Sequence, residues 1–234
     1  MLLTRYGFRE WGLATAVAAV VVLLVVANAA FGYPVSPLPA WIILGAVAFG
    51  WFVVAGFFRD PIRRIPRDLP EGTMLSPADG VISAIEHVDA HEATNGQPAI
   101  IIRIFLSVLN VHVNRAPCDC TVLGTVYRKG KFLNAQTPES AQVNESNVIL
   151  LEFPDGEAFG MRQVSGMIAR CIVCPLQKGD TLTQGCRWGM IKFGSTTELI
   201  LPRPDDVEVH VQEGDRVTGA RTTLAQLRPA ATAS

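Results

Sequence analysis

A mainly β protein, in which a barrel- or sandwich-like β domain follows a two-helix membrane hairpin, is predicted by three features. These are two uncharged apolar runs near the N-terminus, short β-type runs from residue 69 onward, and a repeated Gly-Asp turn. The apolar runs cover residues 11–31 (WGLATAVAAVVVLLVVANAAF) and 39–58 (PAWIILGAVAFGWFVVAGFF), each about the 20 residues that a helix needs to cross a hydrocarbon core. A cleaved leader fits poorly, since the first run is long and the second follows at once. A Pro-rich, uncharged turn at 32–39 joins them, with Arg5 and Arg9 before the pair and Arg59, Arg63, Arg64 and Arg67 after it. The positive-inside rule then keeps both ends of the hairpin, and everything after residue 60, on the cytoplasmic side of the cell (inner or plasma) membrane. A pair lying partly in one leaflet stays open as an alternative. The expected division is 1–60 for the hairpin and 61–234 for the β-rich domain.

In the second region the candidate strands are 81–88, 99–106, 110–114, 121–128, 147–153, 163–174, 188–193, 197–202 and 207–211, separated by Gly, Pro, Asp and Asn. Helical signal is confined to turns at ESAQVN and TTLAQL. QKGDTLTQG (177–185) and QEGDRVTGA (212–220) repeat Gly-Asp-x-(Leu/Val)-Thr, a turn followed by the start of a strand. The pattern is similar to the hairpins of biotinyl and lipoyl carrier domains. No carrier lysine stands at a hairpin tip, so the repeat is read as architecture.

With 20 basic and 21 acidic side chains, the near-neutral balance argues against nucleic acid as a partner. The cysteines are Cys118, Cys120, Cys171, Cys174 and Cys186. Cys171-x-x-Cys174 has zinc or redox spacing, but MIARCIVCPL reads as a strand and no second pair accompanies it, so core thiols and no metal are expected.

Three polar groups stand out against this background: Asp79 in the turn of SPADG, His112 in SVLNVHVNRAP, and Ser195 after Gly194 in IKFGSTTEL. Strand alternation places Asn110, His112 and Asn114 on one face and Leu109, Val111 and Val113 on the other, so a core-facing second set would aim the imidazole into a polar cleft. Asp, His and Ser are the ingredients of an activated hydroxyl: the carboxylate holds the ring, the ring takes the proton, and the oxygen attacks. A hydrolase would need an exposed nucleophile, often within Gly-x-Ser-x-Gly, and that motif is absent. Ser195 lies instead within β-type sequence, where the nearest carbonyl is that of Gly194.

FFRDPIRRIP, SPADG, FLSVLNVHVNRAP, GKFLNAQ, SGMIARCIV and GMIKFGSTTELILP, in this order over about residues 57–220, resemble the phosphatidylserine decarboxylase family in its short membrane-associated form. The resemblance implies a proenzyme that cuts itself between Gly194 and Ser195, leaving a β chain of residues 1–194 and an α chain of residues 195–234. Ser195 would become an N-terminal pyruvoyl group, the covalent cofactor that captures the amine of phosphatidylserine as a Schiff base and turns the lipid into phosphatidylethanolamine. Catalytic roles fall on Ser195, His112 and Asp79, and Arg115 and Asn114 are candidates for substrate contact. The long bacterial form carries a second histidine where this chain has Arg115. Its partners are the phospholipid and its own two chains, with a homo-oligomer open. Two other readings remain: a membrane-tethered serine hydrolase using Asp79, His112 and Ser195, and a noncatalytic anchored β domain. The lipid tails, diacyl or archaeal ether, are not specified by the sequence.

Overall fold

The computed structural model describes residues 2–31, 37–134, 137–167, 171–192 and 194–228. The chain divides into two compact units, Met1–Pro61 and Ile62–Ser234. In the first, α1 (Phe8–Ala30) and α2 (Pro37–Phe57) are both long and apolar enough to cross a membrane. Leu13, Val17 and Leu24 of α1 and Ile42, Phe49 and Val53 of α2 are exposed, an arrangement that hydrocarbon tolerates and water does not. The helices are pinned by Trp51, whose indole N–H donates to Thr15 Oγ1 at 3.0 Å. Most of the expected turn at 32–39 lies outside the described residues.

The second unit runs β1 (Thr73–Leu75), β2 (Gly80–His91), β3 (Gln97–Leu106), β4 (Val113–Arg115), β5 (Cys120–Arg128), α3 (Pro138–Val143), β6 (Ser146–Glu152) and β7 (Ala158–Ser165). It continues with β8 (Cys171–Val173), β9 (Thr181–Leu182), β10 (Arg187–Lys192), β11 (Ser195–Pro202), β12 (Val207–Val209), β13 (Arg216–Val217) and β14 (Thr223–Leu227). An eight-stranded sheet has the order β13-β2-β3-β11-β7-β6-β5-β9, and two three-stranded sheets have the orders β1-β14-β12 and β4-β10-β8. These orders describe one seven-strand plan used twice. Strands β1, β2, β3, β11, β12, β13 and β14 form one copy, and β4 to β10 form the other, strand for strand. The second copy is continuous in sequence and is inserted between β3 and β11 of the first.

The repeated Gly-Asp turn is the most visible trace of this duplication. Gly179 and Gly214 both have φ of 93°, a left-handed conformation in which glycine avoids a side-chain penalty. Asp180 Oδ2 accepts the Gln177 N–H and Asp215 Oδ2 accepts the Gln212 N–H, while Gly179 and Gly214 donate to Val122 and Ile82. The two turns therefore finish opposite edges of the large sheet, through β9 on β5 and β13 on β2. The copies also strap each other, since Leu75 N–H donates to Pro117 O and Arg115 N–H to Pro77 O, both at 2.9 Å.

Three expectations change. The stretch 163–174 is two strands in different sheets, β7 ending at Ser165 and β8 starting at Cys171, and the exposed Cys171 is not a core thiol. TTLAQL forms β14 instead of a helical turn, because pairing with β1 and β12 buries Leu224, Ala225 and Leu227. Within 110–114 the strand begins only at Val113: Asn110 closes a turn on Ser107, Leu109 is 83% exposed, and Val111 and His112 are both buried.

One core joins both copies, with Ile82, Ile102, Ile104, Leu199 and Leu201 packed beside Val122, Ile149, Leu151, Phe159 and Trp188. On β11 a carboxylate, Glu198, is only 1% exposed. Its register partners are Arg103 on β3 and Arg162 on β7, and both guanidinium groups bond it, at 2.8 and 3.4 Å. Arg103 also reaches Glu86 on β2. Glu198→Ala would take the carboxylate from Arg162 and leave Arg103 with Glu86 alone, and breaking a buried pair costs on the order of 3 kcal/mol. Denaturant titration of the full chain in micelles should show that loss, and an unchanged midpoint would refute the clamp.

Candidate active site

The insertion explains where the site lies. Its first and last strands, β4 and β10, pair antiparallel with Val113 opposite Met190, so the residues just before and just after the inserted copy meet. His112 precedes β4 and Gly194 follows β10. The Gly194 N–H donates to His112 Nε2 at 3.2 Å, across 82 residues of sequence. His112 Nδ1 stands 2.9 Å from the carbonyl oxygen of Asn110. A carbonyl can only accept, so the proton sits on Nδ1 and Nε2 presents its lone pair to Gly194.

Gly194 has φ of 68°, in the left-handed region, and Ser195 is the first residue of β11. The Ser195 side chain is fully buried and its hydroxyl has no hydrogen-bond partner. Directly across the ladder on β7, the Ser165 hydroxyl is likewise buried and unpartnered. Unpaired buried hydroxyls are costly, so two on directly paired residues mark this end of the sheet as a candidate place for chemistry. Asn144 completes this end of the sheet: its amide donates to Ser165 O at 2.8 Å and to Leu133 O, and its carbonyl accepts the Leu133 N–H. Neither Ser165 nor Asn144 was singled out from the sequence, because their relevance comes only from the β7–β11 register and from the loop that Asn144 holds.

His112, Gly194 and Ser195 are thus brought together, whereas Asp79 is engaged elsewhere. Asp79 Oδ2 accepts from Arg63 Nη2 at 2.6 Å and Oδ1 accepts the Gly219 N–H at 2.8 Å. Asp119, the corresponding residue of the inserted copy, accepts the Gln184 N–H at 2.7 Å, so the turn bond of Asp79 belongs to the repeated plan and the ion pair with Arg63 is its own addition. Arg115 is buried, with Nη1 donating to Gly185 O at 3.2 Å. Asn114 is fully buried: its amide donates to Thr197 Oγ1 and its carbonyl accepts from Gln163 Nε2, both at 2.9 Å. The bond with Cys120, and then burial, push the Cys118 thiol up, and burial pushes Cys174 and Cys186 up, away from the reactive thiolate.

A buried serine hydroxyl next to a left-handed glycine whose N–H is held by an imidazole defines a class of site, one suited to chemistry on the protein's own backbone. The profile of the phosphatidylserine decarboxylase family matches residues 50–225. Among curated relatives, the phosphatidylserine decarboxylase proenzyme of Wolbachia sp. subsp. Brugia malayi is 45% identical over 174 residues, covering 73% of this chain and 74% of the relative. The proenzyme of Granulibacter bethesdensis is 42% identical over 194 residues, covering 82% and 78%. That of Neisseria gonorrhoeae is 38% identical over 218 residues, covering 86% and 82%. The chain belongs to the phosphatidylserine decarboxylase family.

The placement of Asn114 can be tested. Asn114→Ala would leave the Gln163 amide and the Thr197 hydroxyl without their buried partner, at a cost of about 1–3 kcal/mol. A lowered thermal midpoint is expected. A raised KM with an unchanged midpoint would mean that Asn114 meets the substrate instead.

Proposed function

We propose that this chain is a membrane-anchored proenzyme that cuts itself between Gly194 and Ser195 and then decarboxylates phosphatidylserine to phosphatidylethanolamine. One observation carries the reading: the buried, unpartnered Ser195 hydroxyl follows a left-handed Gly194 whose N–H is held by His112 Nε2. The proenzyme names of the relatives support it from the family side.

In the first step His112 Nε2 gives up the Gly194 N–H and takes the proton of the Ser195 hydroxyl, and Oγ bonds the Gly194 carbonyl carbon. The carbon–nitrogen bond between the residues then breaks, the nitrogen takes a proton, and an ester replaces the amide. In the second step the Cα proton of residue 195 is removed and the Cβ–Oγ bond breaks, so Gly194 leaves as a carboxylate. Water replaces the nitrogen of the resulting dehydroalanine, ammonia departs, and the 195–234 chain begins with a pyruvoyl group. That group supplies a ketone that captures an amine and a sink for the electron pair left behind by carbon dioxide. The residues fit its formation, because Ser195 starts a strand with no side-chain bond to break and the ring nitrogen lies one residue away.

The roles of the other residues follow from their partners. The Asn110 carbonyl fixes the tautomer of His112, which makes Nε2 the proton-accepting nitrogen of the ring. Asp79 would reach the ring only by exchanging one of its bonds to Arg63 or Gly219. Arg115 and Asn114 brace β4 in this reading. The α1–α2 hairpin holds the enzyme in the membrane that contains its substrate, with the β unit on the cytoplasmic side.

Intact-mass measurement tests the cut. Ser195→Ala should remain one chain of 234 residues, and cleavage of that variant at the same bond would end the proposal. His112→Ala should slow self-cleavage by about 100- to 10,000-fold, the usual loss for a general base. Asp79→Asn should fall in the same range if its carboxylate serves the ring, whereas normal processing would leave it only the turn role that Asp119 has. A serine hydrolase would instead stay intact and react with a fluorophosphonate.

A further inference from the structure

Ser195 is the first residue of β11, and its register partners are the last residues of the neighbouring strands, Leu106 of β3 and Ser165 of β7. The chain leaving β3 and the chain leaving β7 therefore flank the Gly194–Ser195 bond from both sides. Both segments expose large apolar side chains there: Leu109 is 83% exposed, Met167 61% and Val108 43%. Among the described residues of the β unit only Ile62, Ile65 and Tyr127 join them as exposed large hydrophobics. Half of such side chains thus stand on the two segments beside one serine. Val108 borders the scissile glycine, its Cγ2 lying 3.9 Å from where a Cβ on Gly194 would be. Neither 107–110 (SVLN) nor 165–167 (SGM) contains a charge.

We propose that these two loop tips are a docking surface for the lipid bilayer, separate from the N-terminal helices, and that they enter the boundary between head groups and acyl chains. The proposal rests on the phosphatidylserine reading of the site. A phospholipid keeps its acyl chains in hydrocarbon, so its serine reaches the fully buried residue 195 with the least extraction from the bilayer if this end of the sheet lies against the bilayer surface. Apolar side chains on both sides of residue 195 would gain from leaving water, and the absence of charge in 107–110 and 165–167 avoids the large cost of desolvating an ion at that depth. The helices would keep the enzyme in the membrane, and the tips would orient the site toward it.

The test uses the full chain in liposomes and the double variant Leu109→Ser/Met167→Ser, which leaves Val108, His112 and Ser195 in place. Carbon dioxide release is measured from bilayer phosphatidylserine and from a dispersed short-chain phosphatidylserine, with mass spectrometry of the cut alongside. Self-cleavage and turnover of the dispersed lipid should be unchanged, while turnover of the bilayer lipid falls about tenfold. Equal rates on the bilayer before and after substitution would overturn the proposal, as would an equal fall on both lipids. Depth is read independently by Leu109→Trp. Its added emission should be quenched by bromine-labelled acyl chains, and emission indifferent to the label would also overturn docking. If the unaltered protein released carbon dioxide from neither lipid, the substrate reading would fail, and the quenching result would still decide whether the tips enter a bilayer.

Discussion

Everything at the site depends on the register of β11 between β3 and β7. The row Arg103–Glu198–Arg162 crosses the three strands at one level, and a carboxylate held by a guanidinium on each side cannot slide by one residue without losing both. A slip of that size would also turn Ser195 to the opposite face of the sheet. The row lies only three positions from the scissile bond. If the chain is cut there as proposed, eight register pairs with β3 and six with β7 would still hold β11, so the new terminus would stay where the serine was.

The duplicated plan explains why a reactive bond lies there at all. In the inserted copy β6 and β7 are joined by a short turn across 153–157. In the outer copy the matching strands, β3 and β11, are joined by an entire second copy. An insertion of that size is tolerated only if its two ends lie close together, and β4–β10 pairing brings them close. His112 and Gly194 are the two ends. Asp79 and Asp119 show the same logic in reverse: a turn carboxylate common to both copies has gained Arg63 in only one of them.

The legible parts of the fold were those in which a local pattern carries its own physical cause. The apolar runs, the hydrophobic central strands and the paired Gly-Asp turns fall into that group. The two- and three-residue strands β1, β9 and β13 do not, because they exist through partners distant in sequence and bury too little to leave a periodicity. The same limit applies to the site. Gly194 and Ser195 are visible as a permissive residue before a hydroxyl, and His112 as an isolated imidazole. Alternation misplaced Leu109, since the turn closed by Ser107 and Asn110 ends strand geometry before it reaches that residue. The orienting partner expected for the ring was a side chain, Asp79, while the bond in the structure is to the backbone of Asn110.

Burial of Ser195 suits the order of the two proposed reactions. The ester that links Gly194 to Ser195 is more easily hydrolysed than the amide it replaces, and water reaching it would give two chains with an ordinary serine at the new terminus. Elimination has to outrun hydrolysis, and a fully buried hydroxyl between β3 and β7 is kept from water. The lipid then needs access to the same position. Cleavage provides it without unfolding, because the only covalent link spanning β10 and β11 is the segment that contains the cut. In the proposed cleaved state that link is gone, and Gly194 is no longer tied to β11, which keeps its pairs with β3 and β7. A substrate whose head group is all that must enter, and whose tails remain in the bilayer, suits an opening made in this way.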